Sequence, residues 1–165
     1  MTAEEFARAM HGSQVCEGHG PYADTHLPRV VAVLAEYGFT QPHYVAAGWL
    51  HDVVEDTSAT IDDVRKLFGD EVAEFVWACT AVGGTHDEKM ITLMRRMEKA
   101  PQAAPVKLAD RIVNVEAAKG TRFLAKYVQQ RDLFEACIRD RVPKHMWARM
   151  EAAFDCAQGD GPEKG

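Results

Sequence analysis

The chain has 165 residues, 47% of them apolar and 27% charged, a make-up that suits one water-soluble domain able to bury a core without staples. A formal charge of -6 argues against a protein that grips a nucleic acid polymer and leaves room for a small anionic ligand in a local basic pocket. The start, MTAEEFARAM, is acidic where a signal peptide is basic, and no apolar run of roughly 18 residues occurs, so a cytoplasmic protein with no membrane partner is expected.

Apolar positions recur at i, i+3 and i+4 almost throughout, which predicts an all-α fold of about eight to nine helices. In chain order they span residues 3–11, 26–37, 41–54, 60–68, 70–79, 86–99, 103–119, 124–140 and 143–156. The punctuation agrees: Gly38 follows the second helix, Pro42 opens the third, and Thr60 with Asp63 reads as a capping box with Asp in place of Glu. Glycine-rich segments at 12–22 and 81–87 are expected to be site-shaping loops. One domain over residues 1–157 is expected, followed by a disordered tail over 158–165. Cys16, Cys79, Cys137 and Cys156 form no CxxC pair, which predicts reduced thiols. Met90, Met94 and Met97 fall at helical spacing and read as core filler.

Chemistry concentrates in two helices. In GWLHDVVEDTSAT, residues 48–60, His51 precedes Glu55 by four and Asp52 precedes Asp56 by four, so on a continuous helix each pair stacks on one face. Trp49, Leu50, Val53 and Val54 surround them, which places the four ionisable groups near the core, where a bound cation offsets the cost of burying carboxylates. In APVKLADRIVNVEAA, residues 104–118, Lys107, Asp110, Arg111 and Asn114 form one polar stripe on an apolar helix. His51, Asp52 and Asp110 offer one nitrogen and two oxygens to a borderline divalent metal, and a further histidine would complete the set. His26 is the candidate, with His11 and His19 as alternatives, while His43, His86 and His145 read as solvent-side or satisfied. Lys107 and Arg111 also have a structural reading, as charge partners of Asp110 or a neighbouring carboxylate.

Together these segments resemble the HD-domain phosphohydrolases, specifically the hydrolase half of the RelA/SpoT alarmone enzymes and their small stand-alone relatives. The resemblance is carried by HDVVEDT at 51–57, VKLADRIVNVE at 106–116, PYADTHLPRVVAVL at 21–34 and TIDDVRKLFGDEVAEFVWACT at 60–80. It implies an HD-domain helical bundle with His26, His51, Asp52 and Asp110 as ligands of one metal, typically Mn²⁺. It further implies that Glu55 and Asp56 orient and activate the attacking water, that Lys107 and Arg111 neutralise phosphate oxygens, and that Asn114 faces the nucleotide sugar. The expected activity is removal of the 3′-pyrophosphate from (p)ppGpp, without synthetase activity; a homo-oligomer is compatible with this. The alternatives are hydrolysis of another phosphorylated nucleotide or cofactor such as NADPH, or a non-catalytic nucleotide-binding module. The departures lie in the first loop, where Val15-Cys16-Glu17 stands in place of the family's basic base-stacking residue, and in 81–101, where Arg95, Arg96 and Lys99 are unassigned basic groups.

Overall fold

A computed structural model describes residues 1–16 and 19–159. The chain is all-α. Among the described residues it has helices α1 (Ala3–His11), α2 (Tyr22–Thr25), α3 (Leu27–Glu36), α4 (Pro42–Leu50), α5 (Val53–Asp56), α6 (Ile61–Phe68), α7 (Asp70–Cys79), α8 (His86–Lys99), α9 (Ala104–Ala118), α10 (Leu124–Gln129), α11 (Arg131–Ile138) and α12 (Lys144–Gln158). A minimal hairpin, β1 (Val15–Cys16) and β2 (Gly20–Pro21), stands where a loop was expected; Val15 pairs with Pro21 and Cys16 with Gly20. The tail expected from 158 onwards begins inside α12 at Gln158, and residues 160–165, like Glu17, lie outside the described residues.

Local chemistry sets the helix ends. Thr2, Thr60 and Thr85 each close a capping box, with Glu5, Asp63 and Glu88 as reciprocal partners, satisfying backbone donors that the first turn leaves without partners. Gly38 turns the chain out of α3 at φ 86°, a conformation that costs other residues their Cβ clearance.

Two expected helices are interrupted, and one short helix was not foreseen. Pro28 lacks the N–H that would continue a helix from α2, so the chain steps at His26 between α2 and α3. The expected helix 41–54 breaks at His51 and Asp52, where Asp52 sits at φ -106°, ψ -2°. The His51 Nδ1–H donates to the Gly48 carbonyl at 2.9 Å, the acceptor that an uninterrupted helix would give to the Asp52 N–H. The third break, at Gln130, separates α10, which buries no side chain, from α11, which buries Phe134, Cys137 and Ile138.

Helix α9 runs through the centre and is buried along most of its length, with α3, α4, α7 and α12 packed around it. One core cluster joins these helices through Val30, Leu34, Phe75, Leu108, Ile112 and Phe154. A second, built from Phe6, Leu27, Trp49, Leu50, Val64 and Val76, fills the space under α1, α6 and α7. Met90 and Met97 are buried and Met94 packs against the core, as their spacing predicts. A Cβ on Gly48 would lie 3.0 Å from both Leu34 and Val31, so this glycine permits the close α3–α4 crossing that brings His26 beside His51.

Candidate metal centre

His26, His51, Asp52 and Asp110 converge from three places in the chain: the step before α3, the break after α4 and the middle of α9. One donor atom from each lies within 4.8 Å of all the others. Donors facing each other across a single ion at ~2.1–2.4 Å are ~4.2–4.8 Å apart, so the spacing fits one cation. The break after Leu50 is what makes the adjacent His51 and Asp52 converge, because consecutive side chains of a continuous helix diverge by about 100°.

The nitrogens are poised for a ligand. His26 Nε2 lies 3.2 Å from Asp110 Oδ1, and His51 Nε2 lies 3.1 Å from Asp52 Oδ2 and 3.5 Å from Asp110 Oδ1, yet neither nitrogen has an aligned hydrogen-bond partner among the described residues. Both rings aim at a common point between the carboxylates. His51 is fully buried, and its Nδ1–H is committed to the Gly48 carbonyl, a hydrogen bond that fixes the ring's direction and leaves Nε2 to face the centre. Burial opposes charge on His51, but the Asp52 and Asp110 carboxylates outweigh it and raise its pKa to about 10. The same balance acts on Asp110: burial alone would raise its pKa, while Lys107 and the two histidines hold it well below the usual carboxylate range.

A second layer braces this cluster. The Asn114 amide donates to Asp110 Oδ1 at 2.7 Å, and Lys107 Nζ lies 3.0 Å from Asp110 Oδ2. The Tyr22 hydroxyl donates to Asp52 Oδ2, and its ring packs between His11 and His26 at centroid distances of 4.9 and 4.7 Å. Burial, followed by the nearby Asp52 charge, pushes the Tyr22 pKa upward, so the hydroxyl remains a donor. His11 is itself buried, but its Nδ1 meets Gln14 Oε1 at 2.8 Å; it and the exposed His19 stand outside the cluster.

The interrupted helix changes where the other carboxylates point. Instead of stacking beneath His51, Glu55 accepts from the Ala81 N–H at 3.0 Å and from Lys89 Nζ at 3.3 Å. Asp56 turns the opposite way and accepts from Gln14 Nε2 at 3.1 Å. Arg111 is buried with its guanidinium over the Phe134 ring at 4.2 Å and the Tyr127 ring at 5.1 Å, and its Nη1 has no hydrogen-bond partner among the described residues. Arg96 is taken up by structure: it caps the end of α7 through the Trp77 and Thr80 carbonyls.

The centre lies between two cavities. The larger, about 720 Å³, takes in His26, Arg29, Asn114, Phe123 and the hairpin residues Val15 and Cys16; its size suits a nucleotide-sized ligand. The smaller, about 180 Å³, takes in Asp52, Asp110 and Glu55 together with Lys89, Lys107 and Arg111. Asn114, Lys126 and Tyr127 belong to both walls. His86, expected to be solvent-side or satisfied, is exposed where it opens α8 and also lines the smaller cavity.

Tyr22, Gln14, Lys89 and Lys126 went unnoticed in the sequence. Tyr22 had a signal in the PY of residues 21–22, whereas Lys89 and Lys126 sit on helices whose polar faces look like ordinary solvated surfaces.

Comparison with known proteins adds three findings. The HD domain family matches residues 3–135. The chain is 38% identical over 138 residues to a probable GTP pyrophosphokinase of Mycobacterium leprae (strain TN), covering 78% of this chain and 16% of that protein. It is 34% identical over 119 residues to a guanosine-3′,5′-bis(diphosphate) 3′-pyrophosphohydrolase of Aquifex aeolicus (strain VF5), covering 69% and 17% respectively. The chain thus spans about a sixth of the length of these relatives. A solved structure of a metazoan ortholog of SpoT, a protein that hydrolyses ppGpp, superposes with a TM-score of 0.76 at 26% identity, over 94% of this chain and 90% of that one. No helix among the described residues is long and apolar enough to cross a membrane.

Proposed function

Because this chain belongs to the HD domain family, we propose that it is a metal-dependent phosphohydrolase whose substrate is guanosine-3′,5′-bis(diphosphate), cleaved to GDP and pyrophosphate. The observation that carries this reading is the pair of buried imidazole nitrogens, His26 Nε2 and His51 Nε2, lacking hydrogen-bond partners among the described residues and aimed with Asp52 and Asp110 at one point between two cavities. Similarity to the pyrophosphohydrolase of Aquifex aeolicus and to the metazoan SpoT ortholog supports the choice of substrate.

His26, His51, Asp52 and Asp110 would hold Mn²⁺, a borderline cation suited to two nitrogens and two carboxylates. Such an ion supplies Lewis acidity, lowering the pKa of a water and offsetting charge on phosphate oxygens. Glu55, set in the wall of the smaller cavity by Ala81 and Lys89, is assigned to receive the proton of the attacking water; the orienting role that the resemblance gives Asp56 has less support, since Asp56 is held by Gln14 and is not among the described residues lining either cavity. The water oxygen bonds to phosphorus, the bond from phosphorus to the 3′-oxygen breaks, and the 3′-oxygen leaves with the electron pair and acquires a proton. Lys107 and Arg111 bring positive charge to the phosphates, although Lys107 also neutralises Asp110. Asn114 faces the sugar from the wall shared by both cavities.

A second reading has an observation of its own. The mouth of the large cavity presents Val15 and Phe123, 66% and 40% exposed, so an apolar rim stands where the resemblance leads one to expect a basic base-stacking group. This favours another phosphorylated nucleotide, such as NADPH. Phosphate and pyrophosphate release by the Mn²⁺-loaded protein from ppGpp, pppGpp, NADPH and GTP decides between the two. Release of pyrophosphate from ppGpp that vanishes in Asp52→Ala is the expected result; release confined to NADPH would transfer the assignment to the second reading, and release from none would remove the hydrolase reading.

A further inference from the structure

Beyond the residues already assigned, we propose that Arg29 recognises a second phosphate group of the substrate, one borne by the nucleoside away from the scissile bond, so that the site selects doubly phosphorylated nucleotides. This rests on the placement of the scissile phosphate at the metal centre. His26 and Arg29 are three residues apart at the start of α3 and therefore share a face. Both line the large cavity, and so do Asn114, Ala117 and Ala118 along α9. Moving outward from the centre along this floor, a ligand passes His26 first and Arg29 one turn later.

The arginine is aimed by a brace that does not consume it. Its Nη2 lies 3.2 Å from Glu116 Oε2, and among the described residues its Nε and Nη1 have no partner. Glu116 is meanwhile held by Arg149, whose Nε lies 3.0 Å from Oε1, and Arg149 continues to Glu36. The ion pairs thus tie α3, α9 and α12 together, two arginines sharing two carboxylates. A guanidinium oriented by a carboxylate, with Nε and Nη1 lacking partners among the described residues, keeps charged donors for a phosphate oxygen. Among the described residues the large cavity has one other lysine or arginine in its wall, Lys126; its carboxylate, Asp24, is paired with Arg8. The smaller cavity, on the other side of the centre, carries Lys89, Lys107 and Arg111. Positive charge on both sides of the metal centre fits a nucleoside with phosphate at two positions.

Isothermal titration of the Mn²⁺-loaded protein with GDP and with guanosine tests this without relying on turnover. The expected result is a loss of about tenfold or more in GDP affinity in Arg29→Ala, with guanosine affinity unchanged within twofold and partial recovery in Arg29→Lys. GDP affinity insensitive to Arg29→Ala would overturn the proposal. So would equal weakening of GDP and guanosine, the signature of a residue that only braces the helices. Turnover of ppGpp is scored separately: an Arg29-dependent preference for GDP without ppGpp hydrolysis would uphold Arg29 and reject the assigned reaction.

Discussion

Removing one oxygen atom, in Tyr22→Phe, probes how far the metal centre depends on its second layer. The ring stays between His11 and His26, whose centroids lie 4.9 and 4.7 Å away, so packing is preserved. What is lost is the hydroxyl donor to Asp52 Oδ2. A hydrogen bond to a charged group contributes ~1.5–3 kcal/mol, and with less support the Asp52 carboxylate takes up a proton more readily and is less firmly oriented. Loss of such an outer partner typically weakens metal binding ~10–100-fold, or ~1.4–2.8 kcal/mol at ~1.4 kcal/mol per decade. The two estimates coincide, so a 10–100-fold rise in the Mn²⁺ dissociation constant is expected by isothermal titration, with the helical circular dichroism spectrum unchanged. Mn²⁺ affinity within twofold of the parent would refute the view that Tyr22 supports Asp52.

Three further outcomes are expected. Glu55→Gln retains metal stoichiometry but lowers the hydrolytic rate ~10²–10⁴-fold, measured as steady-state pyrophosphate release; an unchanged rate removes Glu55 from the mechanism. Lys107→Met leaves the buried Asp110 carboxylate without its lysine partner at 3.0 Å. Because His51 and Asn114 remain, the metal-free protein should lose stability near the lower end of the ~3–5 kcal/mol typical of a broken buried pair, read by urea unfolding. Finally, the His51 pKa of about 10 lies above the ordinary histidine value of about 6.5. The proton therefore stabilises the metal-free fold fully below pH 6.5, and that contribution is lost as pH rises through 10. Mn²⁺ uptake at pH 7 should accordingly displace close to one proton per ion, measured by titration in buffers of different ionisation enthalpy; zero proton release would contradict a protonated His51.

The helical architecture and the ends of most helices were readable locally, because capping boxes, a C-terminal glycine and Pro42 act within a few residues of themselves. The polar stripe of α9 and the HD pair that follows α4 were likewise visible as ionisable groups among apolar neighbours. What no local pattern could supply was where the helices stop being helices. Periodicity ran straight through His51 and Asp52, yet the His51 side chain takes the Gly48 carbonyl and the chain turns. That single departure brings two adjacent residues to one point and sends Glu55 and Asp56 to opposite sides. Tyr22, Lys89 and Arg29 likewise became meaningful only once α2, α3, α8 and α9 were packed, since their partners Asp52, Glu55 and Glu116 lie 30, 34 and 87 positions away. The amino-acid sequence by itself determined which segments are helical and which residue types meet in the core, because both follow from spacing and short-range hydrogen bonding. The tertiary structure decided which polar atoms share a point in space and which cavities they open to, because that depends on breaks and crossings set by packing between distant segments.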